Sequence, residues 1–141
     1  MTLKTASRFL VALFVVLLAG LPLLAQTGPS RFDVPFAFMA GGQKLPAGAY
    51  TVAFNTGHRV TLQCQQAICG ASVRIAYETA QSGRDLAPTG TLEFDKYGDL
   101  YLLRRARPSG QPAFSELVQS KREAEVVKAY SNRQLATIES R

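Results

Sequence analysis

Two cysteines, one histidine, a scatter of acids and one tight knot of arginines are the residues of this chain that could do chemistry. Cys64 and Cys69 lie in the stretch HRVTLQCQQAICGASVRIAYE, with Gln65 to Ile68 between them. A structural zinc site needs four ligands, and the sequence holds only one histidine, His58, beside the two thiols. A thioredoxin-type redox pair is spaced Cys-x-x-Cys, which this is not. The spacing instead suits a hairpin closed by a disulfide. Val60, Leu62 and Cys64 share one parity, and Cys69, Ala71, Val73, Ile75 and Tyr77 share another. Setting Cys64 opposite Cys69 brings Leu62 opposite Ala71 and Val60 opposite Val73, so the register that joins the sulfurs also joins the apolar faces. The same register sets Arg59 opposite Arg74, a like-charge pair that calls for water or a nearby acid.

His58 follows Gly57 at the start of the same strand, six positions before Cys64. At about 3.3 Å per residue the two stand roughly 20 Å apart, which forbids a Cys–His nucleophile pair. A structural or exposed histidine accounts for it. The acids Asp33, Glu93, Asp95 and Asp99 fall beside apolar residues or in turns. Glycosidic chemistry would need two of them at a set separation in a cleft, and nothing in their spacing demands it. Arg104, Arg105 and Arg107 form the one basic cluster. They are the candidate contact for an anionic surface, whether lipid or polysaccharide, or else a charged strand end that discourages edge pairing. Aromatic residues do not alternate with them, which argues against a nucleic-acid platform. No phosphate loop, nucleophile elbow or metal-ligand cluster occurs, so no catalytic residue, metal or cofactor is assigned.

The elements around these residues begin with an address. Lys4 and Arg8 precede an uncharged run from Phe9 to Ala25, and Ala25 precedes Gln26. A positive end, an apolar middle and a small residue at the cut define a secretory signal peptide over residues 1–25, cleaved between Ala25 and Gln26. Leu23 occupies a position where a small residue is preferred. As a retained anchor the uncharged run would span roughly 26 Å at about 1.5 Å per residue, short of the about 30 Å of bilayer hydrocarbon. Export to the periplasm or beyond follows, with no stable membrane span after the leader is removed. Residues 26–141 are one domain's worth of chain. Loss of Lys4 and Arg8 lowers Lys+Arg from 16 to 14 against 10 acids, a net charge of +4 rather than +6.

The exported part reads as strands. RFDVPFAFM alternates Phe32, Val34, Phe36 and Phe38, predicting a first strand over 31–39 with Pro35 at an edge or bulge. A Gly/Pro interruption leads to a second strand over about 49–55, with Tyr50 as a corner whose ring is buried and whose hydroxyl reaches the turn backbone. Residues 79–90 read as a long surface loop. Thr91 to Asp95 and Asp99 to Arg105 predict a hairpin about Tyr97-Gly98-Asp99. Both Leu100/Leu102 and Tyr101/Leu103 can join Leu92 and Phe94, so the second arm reads as central or covered by a helix. Ser120 and Glu123 have capping-box spacing, predicting a helix over about 121–132, with Ala124, Val126, Val127 and Tyr130 as its apolar stripe. The residues after it fray or extend it.

The motifs FDVPFAF, LPAGAYTV, LEFDKYGDLYLL and SKREAEV together resemble an uncharacterised family of short exported bacterial proteins. Its marks are a Phe-rich first strand, a Leu-Pro-Ala-Gly-x-Tyr turn, a Phe-x-x-Tyr-Gly-Asp hairpin and a Ser-x-x-Glu helix start. The likeness covers most of the exported chain and implies a single exported domain. It brings no activity and no catalytic residues, and the cysteine pair is particular to this sequence.

The expected architecture is mainly β, an antiparallel sandwich or small barrel with one C-terminal α-helix. The expected role is an exported, non-enzymatic envelope module that binds or scaffolds an envelope protein, polysaccharide or lipid, without nucleic acid. The alternatives are a self-associating structural subunit and a hydrolase of envelope polymers.

Overall fold

A computed structural model describes residues 28–80, 88–130 and 132–141. The leader at 1–25, the Ala25–Gln26 bond and residues 81–87 of the expected loop lie outside the described residues. Among those described, the fold is mainly β, with ten strands and one helix near the C-terminal end. The strands are β1 (Ser30–Val34), β2 (Phe38–Ala40), β3 (Gln43–Leu45), β4 (Gly48–Asn55), β5 (Arg59–Cys64), β6 (Gly70–Ala80), β7 (Thr91–Tyr97), β8 (Leu100–Arg107), β9 (Ala113–Leu117) and β10 (Gln134–Glu139). The helix, α1 (Lys121–Ala129), lies between β9 and β10.

The strands form one folded sheet with two faces. β1, β4, β5 and the first half of β6 make one face, and the second half of β6, β9, β8, β7 and β10 make the other. β6 serves both. Gly70 to Arg74 pairs with β5, and Ile75 to Ala80 pairs with β9. Ala76 is the surplus residue where the register shifts, a bulge that lets the strand bend from one face to the next. All these pairings are antiparallel, and the single parallel bridge is Met39 to Leu102, between β2 and β8. The sheet is not closed. β1 and β10 come together without a ladder, joined by the Arg141 N–H donating to the Arg31 carbonyl at 3.1 Å.

The core fills the space between the faces. Phe32, Val34, Tyr50, Val52, Val60 and Leu62 come from one side, and Phe38, Leu45, Leu92, Phe94, Leu103 and Leu117 from the other. Phe38 packs edge-on against both Tyr50 and Phe94, with ring centres 5.3 and 5.2 Å apart. A second, smaller cluster lies on the outer side of β8. There Val126 and Val127 of α1 cover Leu102, Tyr97 and Met39. β8 is therefore apolar on both sides, as its doubled pattern of leucines predicts. Ser120 caps α1: its hydroxyl accepts the Glu123 N–H at 3.2 Å, and the Glu123 carboxylate accepts the Ser120 N–H at 2.6 Å.

Several elements differ from the sequence expectation. The strand predicted over 31–39 breaks at Pro35, whose missing N–H ends β1, and Phe38 resumes on the opposite face. Phe36, between the two, stacks on Tyr101 at 3.7 Å. Gly41 and Gly42 both take positive φ, at 58° and 84°, so a two-residue turn adds the short strand β3. The helix ends at Ala129 instead of 132, and β6 runs through Ala80. β9 and β10 fall in segments with no predicted strand.

Candidate functional site

The disulfide is present as the register requires. Cys64 and Cys69 are joined, the Cys64 N–H donates to the Cys69 carbonyl at 3.0 Å, and Leu62–Ala71, Val60–Val73 and Arg59–Arg74 are Cα partners. The Arg59–Arg74 opposition is relieved without an acid: the Arg59 guanidinium donates to the Ser72 hydroxyl and to the Ser72 carbonyl, each at 2.8 Å.

The bridge shapes a tip. Residues 65–68 are exposed, and the whole Ile68 side chain stands in water. Beside it runs a groove of about 560 Å³, walled by Gln43, Lys44 and Leu45 of β3 and by Gln63, Ala67 and Gly70. β3 pairs only with β2, so its other edge faces this groove without a ladder partner among the described residues. Lys44 is the one charged residue in the lining among the described residues. Sequence periodicity does not reveal Ile68 as a surface residue, because its neighbours belong to a loop and its exposure depends on the bridge.

The arginine cluster is drawn into the protein's own contacts, as ion pairs for Arg104 and Arg105 and as a hydrogen bond and ring contact for Arg107. Arg105 stands between Glu93 and Glu116 as their Cα partner on either side, and its guanidinium pairs with both, at 2.5 and 3.5 Å. Arg104 reaches the buried Asp95 at 3.2 Å. Arg133 takes the other Asp95 oxygen at 2.8 Å, so that carboxylate ties β7 and β8 to the segment leading into β10. Arg107 donates to the Thr91 hydroxyl at 2.9 Å and lies 4.7 Å over the Phe114 ring. Asp33 pairs with Arg141 across the β1–β10 gap, and Asp99 sits exposed in the β7–β8 turn. The acids are thus dispersed over the sheet and not gathered in one cleft.

His58 occupies the end of β5 opposite the disulfide. It takes φ +51° in the three-residue β4–β5 turn, and its carbonyl accepts the Ile75 N–H at 2.8 Å. A cavity of about 260 Å³ opens beside it, with Glu78 and Ser115 also in the lining. Histidine, glutamate and serine thus share one pocket, yet no hydrogen bond joins them among the described residues. Tyr50 makes the predicted corner. It is buried, its hydroxyl donates to the Pro46 carbonyl, and burial raises its pKa above the ordinary tyrosine value. No group of three metal-ligating side chains occurs among the described residues, and no helix among them is long and apolar enough to cross a membrane. Compared with protein-family models, curated proteins and solved structures, the chain matches none.

Proposed function

We propose that the chain is an exported, non-enzymatic β module of the bacterial envelope or its exterior, which binds or scaffolds a partner through the disulfide-closed tip. The observation that carries this reading is Ile68, held fully in water beside the β3 groove by the Cys64–Cys69 bridge. A large apolar side chain costs free energy when hydrated, and a covered position next to a groove recovers it. The bridge limits the freedom of the tip before contact, which lowers the ordering cost of binding. An oxidising compartment suits the bridge, in keeping with the signal-like leader.

The test is a photo-crosslinker placed at Ile68 in the exported chain, activated in the native envelope. A discrete adduct that is lost when the groove variant Lys44→Glu is added to the same chain supports the reading. Adducts no different from those at Asp99, on the β7–β8 turn, overturn it. Self-association is the second reading, favoured by the unpaired β3 edge and the unclosed β1–β10 gap. It predicts a mass by light scattering that rises with concentration.

A further inference from the structure

We propose that the cavity at the β4–β5 turn is a binding site for a small organic cation, an amine carrying a short apolar body. It lies at the opposite end of β5 from the disulfide tip and does not depend on it. Phe54, Ile75 and Pro108 supply apolar wall. Polar groups converge on the same space from three elements: His58 from the turn, Glu78 from β6 and Ser115 from β9. Apolar wall beside a few polar groups is the common composition of small-molecule sites, and about 260 Å³ sets the ligand below drug size.

Charge selects the class. The chain as a whole is basic, and Asp33, Glu93, Asp95 and Glu116 each have an arginine partner, while Glu123 serves the cap of α1 and Asp99, Glu125 and Glu139 stand without an ion pair among the described residues, away from this cavity's lining. Glu78 likewise has no ion pair, yet it lines a cavity to which the described residues contribute no lysine or arginine. The local deficit is therefore one positive charge. An ammonium group set against the Glu78 carboxylate completes a charge-assisted hydrogen bond that no described residue supplies. A His58 ring nitrogen and the Ser115 hydroxyl offer acceptors for its remaining N–H donors. The His58 backbone is held in a left-handed conformation that a glycine would take without strain, and its carbonyl is tied to Ile75. The turn thus keeps an imidazole at the rim of the cavity, in a backbone conformation that glycine adopts most readily and histidine tolerates.

The probes are n-butylammonium, n-butanol and butyrate, which share one apolar body and differ in charge. Each is titrated into the exported chain and followed by amide chemical shifts. Butylammonium is expected to give saturable shifts centred on His58, Ile75 and Ser115, with the alcohol weaker and the carboxylate absent. Glu78→Gln, on an exposed strand position, is expected to weaken butylammonium by about tenfold, equal to about 1.4 kcal/mol, with the rest of the spectrum unchanged. Ile68→Asp is expected to leave the titration as it is. Butyrate or butanol binding as well as the amine, a Gln variant that binds equally, or no saturable shift at all would each overturn the proposal.

Discussion

The Tyr50 ring lies in the core between Phe38 and β5, while its hydroxyl turns back to the Pro46 carbonyl in the turn before β4. Tyr50→Phe removes the donor and leaves that carbonyl without its partner. The expected loss is about 1–2 kcal/mol in urea unfolding at neutral pH. Tyr50 also sets an alkaline limit. Burial raises its folded-state pKa, so above the ordinary value the unfolded chain releases this proton while the folded one retains it. Stability from this group is complete below about pH 10 and falls as pH rises through the folded value. In Tyr50→Phe that part of the alkaline fall disappears, which urea titrations on both sides of pH 10 will read. This residue was legible because a Leu-Pro-Ala-Gly-x-Tyr turn ahead of an alternating strand leaves little else for a buried hydroxyl to meet. Ile68 and Glu78 were not legible, since one owes its role to a bridge and the other to three elements converging from distant parts of the chain.

At the next scale, the turn between β2 and β3 rests on the start of α1. A Cβ at Gly42 would stand 3.0 Å from the Ser120 hydroxyl oxygen, and φ there is +84°. The cap and the turn therefore share one position. Ser120→Ala is expected to cost about 1 kcal/mol through the lost cap. Gly42→Ala is expected to cost at least as much, from strained backbone and from displacing the cap. A double variant whose loss falls short of the sum would show the coupling, read by chemical unfolding. The elements that the sequence foretells are those with two independent constraints. The Cys hairpin has sulfurs and parity, the β7–β8 hairpin has alternation and Gly98 at φ +61°, and α1 has its capping box. β10 has neither. In QLATIE one of the two large apolar residues, Leu135, faces water, and only Ala136 and Ile138 turn inward. Its place is set by pairing with β7, whose residues lie 38 (Lys96 to Gln134) to 48 (Thr91 to Glu139) positions earlier in the chain. β9 hides similarly, because the bulge opposite it breaks the alternation that would announce its partner.

Over the whole molecule, the bridge at the tip matters less for stability than for shape. A loop as small as the one closed by Cys64 and Cys69 contributes only about 2 kcal/mol by chain entropy. The β5–β6 ladder already holds the same register. Replacing both cysteines with serine should therefore leave the β-sheet circular dichroism intact and lower the unfolding free energy by about that amount. The Ile68 crosslink should weaken far more, because the tip would lose its fixed form. Loss of the sheet spectrum would contradict this division of labour. Because β6 is common to both faces, neither can come apart alone, and hydrogen exchange should show β5, β6, β8 and β9 opening as one unit.

The unclosed gap has a mechanical consequence. Ser30 at the start of β1 and Glu139 at the close of β10 border the same seam, bridged among the described residues by one backbone hydrogen bond, the Arg141–Asp33 pair and the Ser109 hydroxyl set between those of Ser30 and Ser140. A force drawing those two points apart would open the seam like a zipper, one link at a time, instead of shearing many links together. Under tension applied there, the protein would yield early, however well it resists heat.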